Sequence, residues 1–415
     1  MKLRFGWRSL RIRWQTYKPL GWAQLSHRKV RLLVAIMGVA FANILIFTQL
    51  GLRAMLFDGV TLVPDHLQGD LFLVSAYAAN IDFSAIPKIY LYQADAVEGV
   101  AQASPLYIGY ANWVNPQDLV TEELPLADED AVPESNFQLF PNSVKILAFN
   151  PTQPVLTIPE VNRQLESIYA PGTVLYDRLG QAKLGPIPRL FQQQGTVTTL
   201  MNNQRVYVTG LFSLGSTLFD SGHLVMSDWS YRQWRGEDSL EQISVGVLTL
   251  EPGVSIETGR QALREALPKS ITILTQTELA TAEQAFRASL PNGKVLNFGA
   301  LMGFIVGIVI VYQVLYTDVS EHLPEYATLK AMGYSDRRLL LVVLQEALLL
   351  AVMGFIPGYL ASHGVYRLLV ALTRVPLEMK THVAVTVFIL TLIMCSLSGV
   401  IAMNKLRSAD PADVF

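Results

Sequence analysis

The sequence VLNFGALMGFIVGIVIVYQVLYT, residues 295–317, contains no charged side chain in 23 positions. About 20 apolar residues in a helix cross the hydrocarbon core of a bilayer. This stretch is therefore long enough to span a membrane, and the charged residues Lys294 and Asp318 mark its two ends.

Three other stretches of the chain have the same character. Residues 32–52 and 383–404 are uncharged over 21 and 22 positions, and residues 339–366 are interrupted by Gln345 and Glu346. Four such runs favour membrane helices over the buried helices of a soluble protein. We predict transmembrane helices at 32–53, 294–317, 339–361 and 383–404.

The first apolar run has an alternative interpretation as a cleaved signal peptide. Ala40 and Ala42 form an A-x-A pattern that is typical of a cleavage site. However, apolar sequence continues well past this pattern, and 31 residues precede the run. These features favour a retained signal anchor.

Charge is distributed unevenly along the chain. Residues 1–31 carry nine Lys and Arg and no acidic residue, whereas residues 54–293 carry 26 acidic and 13 basic residues, a net charge of −13. The positive-inside rule then places both termini and the loop 318–338 in the cytoplasm. We therefore predict an inner-membrane protein in which residues 54–293 and the short loop 362–382 face outward and residues 405–415 form a cytoplasmic tail.

The large outer segment has the pattern of an α+β domain. Residues 70–113 and 243–274 each predict a strand, a helix and a strand, with the helices at 89–100 and 256–267. Between these units lie strand candidates at 144–149, 173–176, 195–200, 205–211 and 222–227. Met201-Asn-Asn-Gln204 predicts a hairpin turn. We expect a base split between about 54–118 and 240–293, with a β-rich insertion at about 119–239.

No catalytic or metal-binding pattern is present in the sequence. It contains no P-loop, no H-E-x-x-H and no G-x-S-x-G motif. The six histidines are scattered, and the single cysteine, Cys395, lies within the fourth span. We predict a non-catalytic chain without a metal site.

Residues 4–18 predict a basic amphipathic helix. Arginines recur on one face and apolar or aromatic residues on another, namely Arg4, Arg8 and Arg11, and Leu10, Trp14 and Tyr17. Such a helix can lie in the headgroup layer of the inner leaflet. A basic tail that only orients the first span is the alternative.

Glu346 is the acidic residue inside a predicted span. Ionisable groups within a membrane often serve a function. Because Glu346 lies about two turns from the cytoplasmic end of its span, a structural or dimer-contact role is favoured over proton transfer.

The loop between the second and third spans contains EYATLKAMGY at residues 325–334. Pro324 and Glu325 suit the first turn of a short helix, and Gly333 suits its end. Tyr326, Leu329 and Met332 form one apolar face, which can dock in a groove on a soluble partner. An ordinary connector is the alternative.

The same ten residues resemble the E-x-x-x-L-[KR]-A-x-G segment of FtsX/MacB-type ABC permeases. The order of one span, a large outer domain and three further spans is also similar to theirs. Four other strings resemble the cyanobacterial DevC branch: PLGWAQL at 19–25, VYQVLYTDV at 311–319, GFIPG at 354–358 and SADPADVF at 408–415.

This resemblance implies a homodimer that works with a separate DevA-like ATPase, which binds ATP and Mg²⁺. The loop helix would be the coupling helix that contacts this ATPase, through Glu325, Tyr326, Leu329, Lys330, Met332 and Gly333. The outer domain would resemble a porter base with a Sabre insertion, and would contact an HlyD/DevB-like periplasmic adaptor and a TolC-like channel.

The resemblance also implies a mechanism, called mechanotransmission, in which ATP hydrolysis moves the outer domains and drives export. The expected cargo is an envelope glycolipid, as in the heterocyst-related DevC branch, or another amphiphile. An FtsX-like scaffold that activates a periplasmic hydrolase without transport is the alternative. A membrane-anchored enzyme is a third possibility, but no catalytic constellation supports it.

Overall fold

The structure is a computed structural model, and it describes residues 29–120, 142–321, 328, 332, 335–373, 377 and 379–408. The chain divides into two compact units. We call the first the helical unit, Met1–Arg53, Val295–Leu372 and Leu377–Phe415, and the second the sheet unit, Ala54–Lys294 and Thr373–Pro376. The N-terminal helix predicted at 4–18 lies outside the described residues.

The described helices are numbered in chain order. They are α1 Lys29–Thr61, α2 Lys88–Asp95, α3 Pro159–Asn162, α4 Ile187–Gln194, α5 Asp228–Arg235, α6 Ile256–Ala266, α7 Gln276–Ser289, α8 Pro291–Glu321, α9 Asp336–Thr373 and α10 Thr381–Ser408. Within these residues α1, α8, α9 and α10 are long and apolar enough to cross a membrane. Helix α1 continues eight residues beyond Arg53, and α9 continues well beyond residue 361.

Two glycines allow α9 to pack closely on α1 in the helical unit. A Cβ atom on Gly354 would lie 2.5 Å from the Cβ of Val39, and one on Gly358 would lie 2.8 Å from the Cβ of Asn43. Small residues four positions apart let two helix backbones approach each other in a membrane. Pro357 lies between these glycines inside the continuous helix α9.

The sheet unit is built on a mixed sheet of nine strands. The strands of the unit are β1 Leu71–Ser75, β2 Ile86–Pro87, β3 Val100–Asn112, β4 Ser143–Phe149, β5 Thr173–Asp177, β6 Val197–Met201, β7 Gln204–Phe212, β8 His223–Ser227, β9 Gln242–Ile243, β10 Val245–Leu250 and β11 Ile271–Leu274. The order in the large sheet is β11-β1-β10-β3-β4-β8-β5-β7-β6, and β2 pairs with β9 separately. Most pairs are antiparallel, but β4–β8 and β5–β7 are parallel.

Strand β3 joins the two parts of this sheet. Its first half pairs with β10, up to Leu106 opposite Val245. Its second half pairs with β4, from Tyr107 opposite Ala148. The insertion expected from residue 119 onward therefore extends the sheet of the base, and the strand that links them lies before that residue.

Apolar side chains cover both faces of the sheet. In β1, Leu71 and Leu73 belong to one buried cluster and Phe72 belongs to the other. In β8, Leu224 and Val225 divide in the same way. Because neighbouring residues of a strand point to opposite faces, strands buried on both sides read as continuous apolar runs. Four candidate spans beside a large α+β domain with a mixed sheet confirm the predicted fold class.

Most local predictions in the sheet unit are also confirmed. Strands β6 and β7 form the predicted hairpin, and Asn202 and Asn203 adopt φ of 45° and 63° at its turn. The helix predicted at 89–100 is too long, because α2 ends at Asp95 and β3 already begins at Val100. Gly99, with φ of 92°, reverses the chain between them.

Candidate functional site

A group of buried charged and polar side chains lies at one place in the sheet unit. We call it the Lys145 cluster. Its members are Asp82, Tyr110, Lys145, Asp220, Glu283 and Arg287, which line one cavity together with residues of the α1 end. They come from five elements: the 3₁₀ turn Ile81–Phe83, β3, β4, the loop between β7 and β8, and α7.

Lys145 is the centre of this cluster. Its Nζ lies 3.0 Å from Oδ2 of Asp220 and 3.3 Å from Oδ1 of Asp82, and all three side chains are buried. The ammonium also lies 5.4 Å from the ring centroid of Tyr110. Burial by itself lowers the pKa of Lys145, but the carboxylates of Asp220 and Asp82 outweigh it and raise the pKa well above its ordinary value. Lys145 is therefore a buried cation held by two carboxylates.

The loop that carries Asp220 is fixed by its own hydrogen bonds. The backbone N–H of Asp220 donates to Oγ1 of Thr217 at 2.8 Å, and the Thr217 N–H donates to the Asp220 carbonyl at 2.9 Å. Burial opposes ionisation of Asp220, but Lys145 and His223 lower the pKa of its carboxyl overall. The loop thus presents an ionised carboxylate to Lys145.

Helix α7 contributes Glu283 and Arg287. Oε1 of Glu283 accepts a hydrogen bond of 2.7 Å from the backbone N–H of Ile81, which begins the 3₁₀ turn. The Arg287 guanidinium lies 3.8 Å from the ring centroid of Phe219, a cation–π contact with the Asp220 loop. Burial raises the pKa of Glu283 to about 7, and burial lowers the pKa of Arg287.

The last turns of α1 reach the same cluster. Gly59, Val60 and Val63 line its cavity, whose volume is about 10 Å³, room for roughly one water molecule. A Cβ atom on Gly59 would lie only 3.0 Å from the Cβ of Thr217. The cluster therefore joins the sheet to two chain segments: the end of α1, and α7, which precedes α8 in sequence.

A second buried pair lies beside the cluster. His223 is the register partner of Lys145 in the β4–β8 ladder. Its Nδ1 lies 3.5 Å from Oδ2 of Asp177. The carboxylate of Asp177 also accepts backbone N–H bonds from Leu214 and Gly215, at 3.1 and 2.7 Å. The start of the loop between β7 and β8 is thus held by the buried acid Asp177.

Most of the predicted coupling helix lies outside the described residues, including Glu325, Tyr326, Leu329, Lys330 and Gly333. Of this segment the structure describes Thr328, which is helical, and Met332, whose N–H donates to the Thr328 carbonyl at 3.0 Å. The side chain of Met332 is 64% exposed. The contact with an ATPase stays a prediction.

The predicted intramembrane acid, Glu346, lies on α9 and is fully buried in the helical unit. It therefore faces other helices of the same chain rather than the outside of the bundle. Its proposed role is not tested by this position, and it stays a prediction.

Sequence reasoning missed the Lys145 cluster. Its members are spread along the chain from Asp82 to Arg287. No short sequence motif contains both of its cations, Lys145 and Arg287. One signal was present: Lys145 interrupts the apolar strand sequence SVKILAF of β4. A lysine in a strand that is otherwise buried needs a buried partner, because an unpaired charge is costly there.

The C-terminal helices are similar to those of a known protein family. Residues 297–411 match the FtsX-like permease C-terminal family. These helices are therefore similar to those of FtsX-like permeases, and the match supports a permease subunit in a membrane. A comparison with curated proteins found no match.

Two solved structures are similar to part of the chain. The periplasmic region of MacB from Actinobacillus actinomycetemcomitans is 12% identical, with 54% of this chain and 95% of that chain covered and a TM-score of 0.33. The extracellular domain of the noncanonic ABC-type transporter YknZ from Gram-positive bacteria is 11% identical, with 50% and 99% covered and a TM-score of 0.29.

Proposed function

We propose that this chain is the permease subunit of an ABC exporter of the MacB/FtsX type. The observation that carries the proposal is the FtsX-like match over residues 297–411, which takes in the last three candidate spans. The main part of the sheet unit, Ala54–Lys294, lies between the first and second spans in sequence, which is the arrangement expected of such permeases. The chain itself would be non-catalytic.

ATP hydrolysis in this proposal takes place in a separate DevA-like ATPase, which binds ATP and Mg²⁺. The loop helix with Glu325, Tyr326 and Leu329 is its docking element. The excess of Lys and Arg in residues 1–31 supports a cytoplasmic N-terminus. With four spans, the sheet unit then faces the periplasm.

In this proposal, ATP hydrolysis in the partner moves the helices of this chain. The sheet unit receives that movement and passes it to other envelope proteins. A homodimer would contact an HlyD/DevB-like adaptor, and through it a TolC-like channel. The strings that resemble the DevC branch favour an envelope glycolipid, or another amphiphile, as cargo. Among the span residues whose burial the structure describes, Glu346 is the one buried charged side chain, which supports a path for the cargo outside the helical unit.

Co-purification from native membranes tests the proposal. The tagged full-length chain is crosslinked and purified, its partners are identified by mass spectrometry, and bound lipids are extracted and compared with those from cells that express the untagged chain. We expect an ATPase and an adaptor, with a specific enrichment of one amphiphile. An ATPase together with a cell-wall hydrolase and no adaptor would favour the FtsX-like scaffold, and the absence of any ATPase would refute both functions.

A further inference from the structure

We infer that Glu283 and Arg287 are positioning residues through which movement of α7 is passed to the turn Ile81–Phe83 and the loop 217–220, which border the nine-stranded sheet. The inference rests on the proposed function, in which ATP hydrolysis in a partner moves the helices of this chain. It assigns the Lys145 cluster a mechanical role that the sequence did not suggest.

The buried face of α7 contains more charged than apolar side chains. The fully or nearly buried residues of this helix are Leu279, Glu283 and Arg287, spaced four positions apart on one face. Two of these three positions are charged, and both lie in the half of α7 that is nearer to α8. Apolar contacts are non-directional and tolerate sliding, whereas hydrogen bonds weaken steeply with small changes of distance and angle. The charged contacts therefore fix the axial position of α7.

The two ends of α7 are held by different contacts. At its start, Thr275 and Glu278 form a capping box, and Glu278 also bonds Arg260 of α6 at 2.9 Å. Gln276 donates to the carbonyl groups of the turn that follows α1, including Pro64 at 3.1 Å. The start of α7 is thus tied to its neighbours by contacts outside the cluster, and its end contacts the turn Ile81–Phe83 through Glu283 and the loop 217–220 through Arg287.

A connection of one residue joins α7 to α8. Leu290 separates the two helices with an extended ψ of 153°. The turn is tight, because a Cβ atom on Gly293 would overlap the carbonyl oxygen of Arg287. Displacement at the start of α8 is therefore passed to the turn of α7 that carries Arg287, rather than absorbed by a long linker.

The charge balance of the Lys145 cluster depends on the protonation of Glu283. Asp82 and Asp220 are paired with Lys145, while Glu283 and Arg287 face the same group from α7. Tyr110 from β3 also lines the cavity, and His223 from β8 acts on Asp220. When Glu283 is ionised, the carboxylates of Asp82, Asp220 and Glu283 outnumber the two cations, Lys145 and Arg287. Protonation of Glu283 makes the cluster neutral. Burial and the neighbouring Asp82 raise the pKa of Glu283 to about 7, against the effects of the Ile81 N–H, Lys145 and Arg287.

Amide hydrogen exchange of Ile81 tests the inference directly, because this N–H donates to Glu283. The full-length chain is studied in nanodiscs with its co-purified ATPase, with and without a non-hydrolysable ATP analogue. We expect nucleotide to change the exchange rate of Ile81, and of the segment 217–222, by about tenfold, a typical coupling between sites. Glu283→Leu should abolish this nucleotide effect, and Glu283→Gln, which keeps an acceptor oxygen, should preserve it.

Matched controls separate coupling from simple loss of structure. Glu265→Gln and Arg264→Gln on the exposed face of α6 should leave the nucleotide effect unchanged. Arg287→Lys should retain more of it than Arg287→Gln, and these variants serve if Glu283→Leu does not fold. A wild-type complex that binds the ATPase, yet shows the same Ile81 exchange with and without nucleotide, would overturn the inference while the proposed function stands. A chain that captures no ATPase would instead remove the proposed function, and the inference with it.

Discussion

At the scale of single residues, Lys145 has the clearest structural consequence. It is a lysine on a buried strand whose charge is balanced by two acids from other parts of the chain, Asp82 and Asp220. Removing one partner of a buried ion pair leaves the others as uncompensated charges. The three segments that meet at Lys145 are thus held together by electrostatics that only the whole group satisfies.

We expect Lys145→Met to destabilise the protein by about 3–5 kcal/mol, because Asp82 and Asp220 would remain buried without their cation. The measurement is chemical unfolding of the full chain in detergent. Lys269→Met is the control, since Lys269 is exposed and surface changes usually stay within about 0.5 kcal/mol. Equal stability of the two variants would show that the cluster carries little of the folding free energy.

Stability should depend on pH through Glu283, with a predictable sign. The pKa of Glu283 is raised from 4.5 to about 7 in the folded chain. The native state therefore holds this proton more tightly than the unfolded state does, and the resulting stabilisation is complete below about pH 4.5. It declines as the pH rises and is lost above about pH 7.

Glu283→Gln removes this titration, so the thermal stability of the variant should gain on that of wild type between pH 5 and pH 8. Paired melting curves of the full chain across this range provide the measurement. Glu265→Gln, at an exposed position on α6, should follow wild type at every pH. A constant difference between Glu283→Gln and wild type would contradict the raised pKa.

At the scale of elements, close packing of α9 on α1 depends on the absence of side chains. We expect Gly354→Ala to destabilise the helical unit by about 1–3 kcal/mol, because the new Cβ would meet Val39 at 2.5 Å. Thermal unfolding in detergent measures the loss. Gly364→Ala is the matched control on the same helix, since nothing lies within 4 Å of its added Cβ. Comparable losses in both variants would argue against the helix contact.

Helices, strands and turns were predictable from the sequence wherever neighbouring residues determine them. The Asn202-Asn203 turn tolerates positive φ, and the pattern of apolar residues gives the flanking strands β6 and β7. The end of α2 was misplaced because the apolar spacing continues to residue 100, whereas Gly99 turns the chain into β3. The carboxylate of Asp95 then accepts from the Ala103 N–H at 2.8 Å, a contact that exists only once β3 is in place.

At the scale of the whole molecule, the exporter proposal depends on the loop helix between α8 and α9. Leu329→Arg places a charge on its predicted apolar face, so the affinity for the ATPase should fall by about tenfold or more. The measurement is ATPase capture by the full chain in detergent. Leu329→Met keeps the face apolar and should bind normally. Normal capture by Leu329→Arg, with an intact fold, would contradict the coupling-helix assignment.

The sheet unit also contains one continuous nine-stranded sheet rather than two separate sheets. Strand β3 pairs with β10 of the base and with β4 of the insertion. A deletion of the insertion would therefore leave the second half of β3 without a neighbour and uncover Tyr107 and Ile108, both of which are buried. The predicted boundary near residue 119 separates the base from the insertion along the chain, but the sheet is continuous across these two parts.

The sequence by itself determined the four apolar helices, the division of charge between regions, the α+β class of the large unit and most of its strands. These features follow from hydrophobic runs and local turn preferences, which act over a few residues. Only the tertiary structure brought Asp82, Lys145, Asp220 and Glu283 together, because the contacts of this cluster join positions as far as 202 residues apart, as between Ile81 and Glu283. Partners at such separations are chosen by strand order and helix packing, and no local pattern encodes them.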